Sequence, residues 1–128
     1  MFKQDKEFII QYLTTALWSS TDMDNNTPLD ETFDLNDIDL NSIKRAIKDC
    51  LKFINDAEKY NLLDGLSYST AGHDFWLTRN HHGAGFWDGD YIKKTGLYLT
   101  ELSNEFKELD CIVYPHDLTN GINKIEIL

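Results

Sequence analysis

Residues 72–89 have the sequence GHDFWLTRNHHGAGFWDG, and the interpretation of this segment decides the predicted fold. Residues 74–80 and 84–88 contain aromatic side chains that strands favour, and they flank His81-His82-Gly83. Gly83 can adopt the positive φ angle that a tight turn requires. The segment therefore predicts a β-hairpin over residues 73–90.

Side chains alternate between the two faces of a strand, so the predicted hairpin divides its residues into two sets. With a turn of even length, Phe75, Leu77 and Phe86 share one face, and that apolar face suits a protein core. Arg79 and Asp88 lie at its edge, where they can form an ion pair. A register shift by one residue would exchange Phe86 and Trp87 between the two sets.

The opposite face of the predicted hairpin carries Trp76 and Trp87 among glycines. An exposed tryptophan pair is a plausible binding platform, because tryptophan is favoured in the hot spots of protein interfaces. In the alternative interpretation, both tryptophans pack under a helix or a loop. The sequence leaves these two interpretations open.

Three other segments have the apolar periodicity of helices. Residues 4–18 carry one apolar stripe, and residues 96–108 direct Leu99, Leu102 and Phe106 inward. The clearest helix is predicted over residues 40–60, where the inner face consists of Ile43, Ile47, Cys50, Leu51, Ile54 and Ala57. Asp39 or Asn41 can cap the start of this helix.

A second pair of strands is predicted near the end of the chain, over residues 111–114 and 122–128. Asn120-Gly121 is a strong turn signal before the last strand. The predicted order of elements is ααββαββ, within a single α+β domain over residues 1–128. We expect an antiparallel sheet of about four strands, with about three helices covering one face.

The chain is acidic, with 22 aspartates and glutamates against 12 lysines and arginines and a net charge of −10. This charge opposes direct binding of nucleic acid and favours partners with a basic surface. Residues 21–39 hold seven acids and no lysine or arginine. These acids are Asp22, Asp24, Asp30, Glu31, Asp34, Asp37 and Asp39.

No apolar run approaches the roughly 18 residues that a membrane helix needs, and the N-terminus lacks the pattern of a signal peptide. We therefore expect a cytoplasmic protein that does not bind membranes. Cys50 and Cys111 are far apart in sequence, and we interpret them as reduced, buried side chains. The sequence contains no cysteine spacing typical of a metal site.

The dense polar residues of the 72–89 segment permit two chemical interpretations, a metal site and an acid–base site, although we expect the protein to bind no metal and no cofactor. The best metal trio is His73 with Asp88 and Asp90, because the adjacent histidines at 81 and 82 rarely converge on one ion. His73 with Asp74 or Asp88, together with Arg79, would instead suit general acid–base chemistry. No nucleophile motif or phosphate-binding loop accompanies them.

Several segments resemble a family of small, functionally uncharacterised acidic proteins encoded by tailed phages and prophages. The resemblance extends over roughly residues 8–114 and is most specific at GHDFWLTRNHHGAGFWD, which spans residues 72–88. Looser similarity is carried by Ala16-Leu17-Trp18-Ser19-Ser20, by Asp49-Cys50 with Phe53, and by Leu99-Thr100. The resemblance implies the cytoplasm of an infected host cell as the location.

Two functions are compatible with these observations. In the first, the protein binds and modulates or inhibits a host or anti-phage defence protein, such as a CRISPR or restriction nuclease, by imitating the charge of DNA. The residues expected to contact this partner are Asp22, Asp24, Asp30, Glu31, Asp34, Trp76 and Trp87. In the second, the protein is a small enzyme or metal-dependent hydrolase centred on residues 73–90, with His73, Arg79 and Asp88 as its catalytic residues. The polar residues that define the motif itself are His73, Asp74, Arg79, Asn80, His81, His82 and Asp88.

A role in virion assembly is a third alternative, although no coiled coil, repeat or extended arm supports it. The sequence does not specify the oligomeric state.

Overall fold

A computed structural model describes residues 1–23, 26–88, 91–114 and 124–128. Within these ranges the chain forms four α-helices, which are α1 (Lys3–Ser19), α2 (Leu40–Glu58), α3 (Tyr68–Arg79) and α4 (Lys93–Ser103). The described strands are β1 (Thr21–Asp22), β2 (Thr27–Pro28), β3 (Cys111–Val113) and β4 (Ile125–Ile127). The α+β class is confirmed, although helices dominate it. None of the described helices is both long and apolar enough to cross a membrane.

The predicted hairpin over residues 73–90 is wrong, because its first half is the helix α3. The helix begins at Tyr68 and is capped by Ser67, whose side chain accepts a hydrogen bond from the Thr70 N–H. A surface helix can be recognised in a sequence because its apolar residues recur on one face and its polar residues on the other. Helix α3 does not show this pattern, because it is buried on nearly every side. It therefore lacks the helical period, and its aromatic residues imitate a strand.

Helices α1 and α3 pack so closely that their backbones touch at Gly72. A Cβ atom at this position would lie only 2.1 Å from the backbone oxygen of Phe8. The absence of a side chain at Gly72 therefore determines how near the two helices can lie. Because α3 is inserted against α1 in this way, its aromatic side chains reach the centre of the protein.

The core is a stack of aromatic rings from α1, α2, α3 and the loop that follows α3. The Phe53 ring of α2 lies between Phe75 of α3, at 4.3 Å, and Phe86, at 5.6 Å between ring centroids. Tyr12 of α1 stacks on Phe75 at 5.3 Å. Ring pairs at these distances contribute beyond the area that they bury, so this stack joins three helices to one loop.

The predicted helices over residues 4–18 and 40–60 are confirmed as α1 and α2. On α2, Cys50, Ile54 and Ala57 are buried as expected, while Ile43, Ile47 and Leu51 are partly buried against the core. Asp39 caps the helix by accepting a hydrogen bond from the Ser42 N–H at 2.7 Å. Each of these features follows from a one-sided apolar pattern and a local capping signal.

The third predicted helix is present as α4, but it begins and ends earlier than residues 96–108 suggested. Leu99 is buried, and Leu102 and Phe106 pack partly against the core, although Phe106 lies beyond the end of the helix.

The strands form two separate two-stranded antiparallel sheets, β1–β2 and β3–β4, so the predicted four-stranded sheet is wrong. The reason is that the two strands expected from residues 73–90 do not exist in the described part of the chain. The pairing of β3 with β4 confirms the second predicted strand pair, with Cys111 opposite Ile127. The predicted Asn120-Gly121 turn lies outside the described residues.

Candidate functional site

Arg79 was a candidate catalytic residue, and the structure places it inside the protein with only 2% of its surface exposed. Its Nη1 atom donates hydrogen bonds to Asp49 Oδ2 at 2.9 Å and to the Tyr12 hydroxyl at 3.0 Å. The predicted ion pair with Asp88 is therefore wrong. The partner is Asp49 of α2, because helix α3 directs this side chain toward α1 and α2.

The remaining donors of Arg79 bind the chain that follows α4. Nε and Nη2 both donate to the Lys107 carbonyl oxygen, at 2.9 Å and 2.6 Å. The guanidinium also lies over the rings of Phe75 and Phe106, at 5.6 Å and 5.2 Å from their centroids. These contacts join three helices and a loop, and they indicate a structural role for Arg79.

The other polar side chains of α3 make internal hydrogen bonds as well. His73 Nδ1 lies 2.8 Å from Thr15 Oγ1 on α1, and Asp74 accepts a hydrogen bond from the Tyr91 hydroxyl. Asn80 follows the helix, where its Nδ2 donates to the Trp76 carbonyl oxygen at 2.9 Å. The Oδ1 atom of Asn80 accepts a hydrogen bond from the Leu109 N–H at 2.6 Å. Each of these bonds connects α3 to another part of the protein or closes its end.

The loop after α3 exposes His81, His82 and Asp88. His81 has a φ angle of +56°, and its Nε2 atom lies 3.3 Å from Glu108 Oε1. Asp88 accepts a hydrogen bond from the Gly85 N–H at 3.2 Å, which closes a short turn. The described contacts of these residues are therefore those of a compact loop.

The described contacts of His73, Arg79 and Asp88 share no residue: His73 contacts Thr15, Arg79 contacts Asp49, and Asp88 contacts Gly85. Among the described residues there is also no group of three metal-ligating side chains. Asp90, the third member of the possible metal trio, lies outside the described residues.

The two tryptophans of the segment have opposite environments. Trp76 is 1% exposed, and its Nε1 atom donates to Ser19 Oγ at 2.8 Å. Trp87 is 57% exposed. The packed interpretation therefore describes Trp76, the exposed interpretation describes Trp87, and the two do not form a shared platform. Trp18, on α1 beside His73, is also exposed.

The acidic segment contains three carboxylates on the surface, at Asp30, Glu31 and Asp34. They lie on or beside two short 3₁₀ turns, Leu29–Glu31 and Leu35–Asp37. In the described part of the chain, none of the three forms an ion pair. Asp22 is buried, which removes it from the predicted contact surface, and Asp24 lies outside the described residues.

These turns are anchored, so the carboxylates occupy defined positions. Leu29 is buried in the core, and its N–H donates to the Ser20 carbonyl oxygen at 2.9 Å. Asp34 caps the second turn by accepting a hydrogen bond from the Asn36 N–H at 2.8 Å. We name Asp30, Glu31 and Asp34 the acidic surface.

A cleft that the sequence did not indicate lies between the end of α2 and one face of α4. Its volume is about 690 Å³, and its principal lining residues are Tyr60, Leu62, Lys94, Tyr98, Glu101 and Glu105. We name it the tyrosine cleft. Apolar side chains on the outer side of α4 were the one sequence feature that could have indicated this cleft. Tyr60 and Tyr98 are too far apart in sequence for their proximity to be predicted without the fold.

Another groove, with a volume of about 500 Å³, lies between the end of α1 and the start of β3. Its lining includes Ser19, Met23, His82, Asp110 and Cys111. The pKa of the Cys111 thiol is raised to about 11, mainly by burial; a hydrogen bond with Ser20 opposes this rise, and the Asp110 carboxylate adds to it. Burial also raises the pKa of the Cys50 thiol well above its usual range. Both cysteines are free, as predicted.

We expect Cys111 to react slowly with iodoacetamide, because only the thiolate is nucleophilic. At pH 8 a thiol with a pKa of about 11 has a thiolate fraction about a hundredfold below that of an ordinary cysteine with a pKa near 9. Mass spectrometry of the alkylated folded protein measures this rate, with urea-unfolded protein as the control. Rapid modification of folded Cys111 would contradict the prediction and indicate a reactive thiol.

The same pKa shift has a consequence for stability, since the folded state holds the thiol proton more tightly than the unfolded state. The contribution of this thiol to the free energy of unfolding is fully present below pH 9, and it is lost as the pH rises from 9 toward 11.

Comparisons with known protein families, with curated proteins and with solved structures found no match.

Proposed function

We propose that this protein acts by binding a partner protein that has a basic surface, and that the acidic surface supplies the principal electrostatic contact. The carrying observation is that Asp30, Glu31 and Asp34 are exposed and form no ion pair within the described residues. They are also held on anchored turns. A charged group that is already positioned loses little conformational entropy when it binds.

The surrounding sequence strengthens the electrostatic field of this surface. Residues 7–43 contain no lysine or arginine, and the whole chain has a net charge of −10. Electrostatic complementarity of this kind mainly raises the association rate and the specificity of a complex. Exposed Trp87 and Trp18 are candidate anchors, because an aromatic side chain adds the apolar contact that charge alone lacks.

Within this proposal, the partner is a host or anti-phage defence protein that normally binds nucleic acid, such as a CRISPR or restriction nuclease. The proposal follows from the resemblance to phage proteins and from the acidity of the chain. A surface of fixed carboxylates can compete with DNA phosphates for the basic groups of such an enzyme. The protein then inhibits or modulates the enzyme in the cytoplasm of the infected cell.

We prefer binding to the hydrolase alternative because the polar groups of α3 are engaged in internal contacts. The Arg79 guanidinium contacts Asp49, Tyr12 and the Lys107 carbonyl oxygen, and it is almost completely buried. A catalytic group must be able to reach the substrate.

The test is affinity capture from infected host lysate by tagged wild-type protein and by the double variant D30K/E31K. We expect one basic, nucleic-acid-binding partner that is retained at low salt and lost at high salt, because screening weakens contacts between exposed charges. The D30K/E31K variant should retain at most about a tenth of the partner, since like charges now face each other. Asp34→Asn, which retains the capping oxygen, should cause a smaller loss.

The matched control is E7K/D64K, which changes the net charge by the same amount at two other exposed carboxylates. This variant should capture the partner nearly as well as wild type. If both double variants lose the partner equally, only the overall charge matters and the acidic surface is not the contact. Capture by D30K/E31K at the wild-type level would also refute the proposal.

A further inference from the structure

The tyrosine cleft has aromatic walls and acidic side chains around them. Tyr60 is 70% exposed and Tyr98 is 44% exposed, although both are large rings that a stable fold usually covers more fully. Glu101, one turn after Tyr98 on α4, and Glu105, in the turn that follows the helix, also line the cleft. At about 690 Å³ the cleft is within the roughly 300–1,000 Å³ range of ligand sites.

This combination of groups favours a cation. The face of a tyrosine ring carries partial negative charge and attracts ammonium and guanidinium groups. One such contact already exists within the protein, since Lys94 Nζ lies 6.0 Å from the centroid of the Tyr98 ring. The carboxylates of Glu101 and Glu105 add full negative charges beside the rings.

We propose that the tyrosine cleft binds an arginine side chain from a basic segment of the partner. The inference rests on the proposed function in that it assigns a second contact to the same basic partner. A guanidinium is planar, so it can stack on one tyrosine ring while its N–H groups donate to a glutamate. A lysine ammonium lacks the planar group and the fork of donors, and it is more strongly hydrated.

Lys94 is the competitor for this site, because its ammonium lies over the Tyr98 ring and repels a second cation. The side chain is exposed and can turn away from the ring when an arginine enters. Removing its charge should therefore strengthen arginine binding, whereas removing either tyrosine ring should weaken it. These opposite effects distinguish the cleft from general attraction to an acidic protein.

The probe is the acetylated and amidated peptide Gly-Arg-Gly-Arg-Gly, with its citrulline counterpart as a neutral peptide of nearly the same shape. Isothermal titration calorimetry at low salt measures the dissociation constants. We expect Y60A/Y98A to weaken binding of the arginine peptide about tenfold, since each ring contributes to cation binding. The control is Tyr114→Ala, which removes another exposed tyrosine, one that contacts Glu126 on the terminal strand pair.

Charge variants provide the second comparison. Lys94→Gln should tighten binding about threefold, whereas Lys44→Gln, which removes a charge about 20 Å away along α2, should change it less. E101Q/E105Q should weaken binding more than D30N/E31Q, which removes two charges from the acidic surface. The two rings that Y60A/Y98A removes are exposed in the wild-type protein, so this variant should keep the wild-type circular dichroism spectrum.

Two results would contradict the proposal that the tyrosine cleft binds arginine. They are equal binding of the arginine and citrulline peptides, or wild-type affinity of Y60A/Y98A for the arginine peptide. The proposed function is tested by a different experiment, and it is contradicted if lysate capture does not depend on Asp30 and Glu31. Peptide binding that requires the tyrosines supports the cleft whatever the lysate shows. If lysate capture requires the acidic surface but peptide binding does not require the tyrosine rings, the arginine site is contradicted and the proposed function stands.

Discussion

Replacement of Arg79 with alanine is expected to lower the free energy of unfolding by about 4 kcal/mol, because the change removes the partner of one buried and two partly buried polar groups. The Tyr12 hydroxyl would lose a hydrogen bond of 3.0 Å, and the Lys107 carbonyl oxygen would lose two. Burial raises the pKa of Tyr12, so its hydroxyl stays protonated and would be left as a buried polar group short of a partner. Asp49 would keep a partly buried negative charge without its cation.

Arg79→Lys is expected to recover less than half of the lost stability. An ammonium on a flexible stem cannot donate to Asp49, Tyr12 and Lys107 at once, because it lacks the planar fork of the guanidinium. Urea denaturation followed by circular dichroism measures both variants.

The control is Arg45→Ala. Arg45 also donates to a backbone carbonyl oxygen, that of Ile127 at 3.0 Å, but it is exposed on α2. We expect this variant to lose at most about 1 kcal/mol, since water can replace the arginine there. Equal losses in the two variants would contradict the structural role assigned to Arg79.

Replacement of Gly72 with alanine is expected to destabilise the protein by about 3 kcal/mol or to prevent folding. In an isolated helix the same change stabilises by about 1 kcal/mol, because alanine is the better helix former. Here the added Cβ would lie 2.1 Å from the Phe8 carbonyl oxygen and 2.9 Å from its carbon, both of which are backbone atoms. The only relief is to separate α1 from α3, which loosens the aromatic core between them.

Thermal unfolding of Gly72→Ala and Gly83→Ala measures this effect directly. At Gly83 an added Cβ meets nothing within 4 Å, and the residue is exposed, so we expect a change below about 0.5 kcal/mol. A Gly72→Ala protein as stable as wild type would show that the two helices do not touch at this point.

Helix α2 was predictable because the information that specifies it is local. Its apolar residues occupy one side, and Asp39 caps its start within three residues of the Ser42 N–H. The second strand pair was predictable for a related reason, since Cys111–Val113 and Ile125–Ile127 are short and rich in β-branched side chains.

Helix α3 was not predictable, because burial on nearly all sides removes the contrast between faces on which a helical pattern depends. The misassigned segment then produced the wrong ion pair and the wrong arrangement of tryptophans. Asp49, the true partner of Arg79, is thirty residues away in sequence, and no local signal joins them. Trp76 and Trp87 have the same side chain, and only their tertiary neighbours determine that one is buried and the other exposed.

Composition and local pattern were enough to predict the α+β class, the acidity of residues 21–39, the positions of α1 and α2, and the presence of two free cysteines. These properties depend on composition or on residues a few positions apart. Long-range packing was needed to show that Arg79 joins α3 to α1 and α2, that Asp22 is buried, and that Tyr60 and Tyr98 face one cleft. Each of these depends on which distant segments pack together, and such packing is settled by the burial of the whole chain at once.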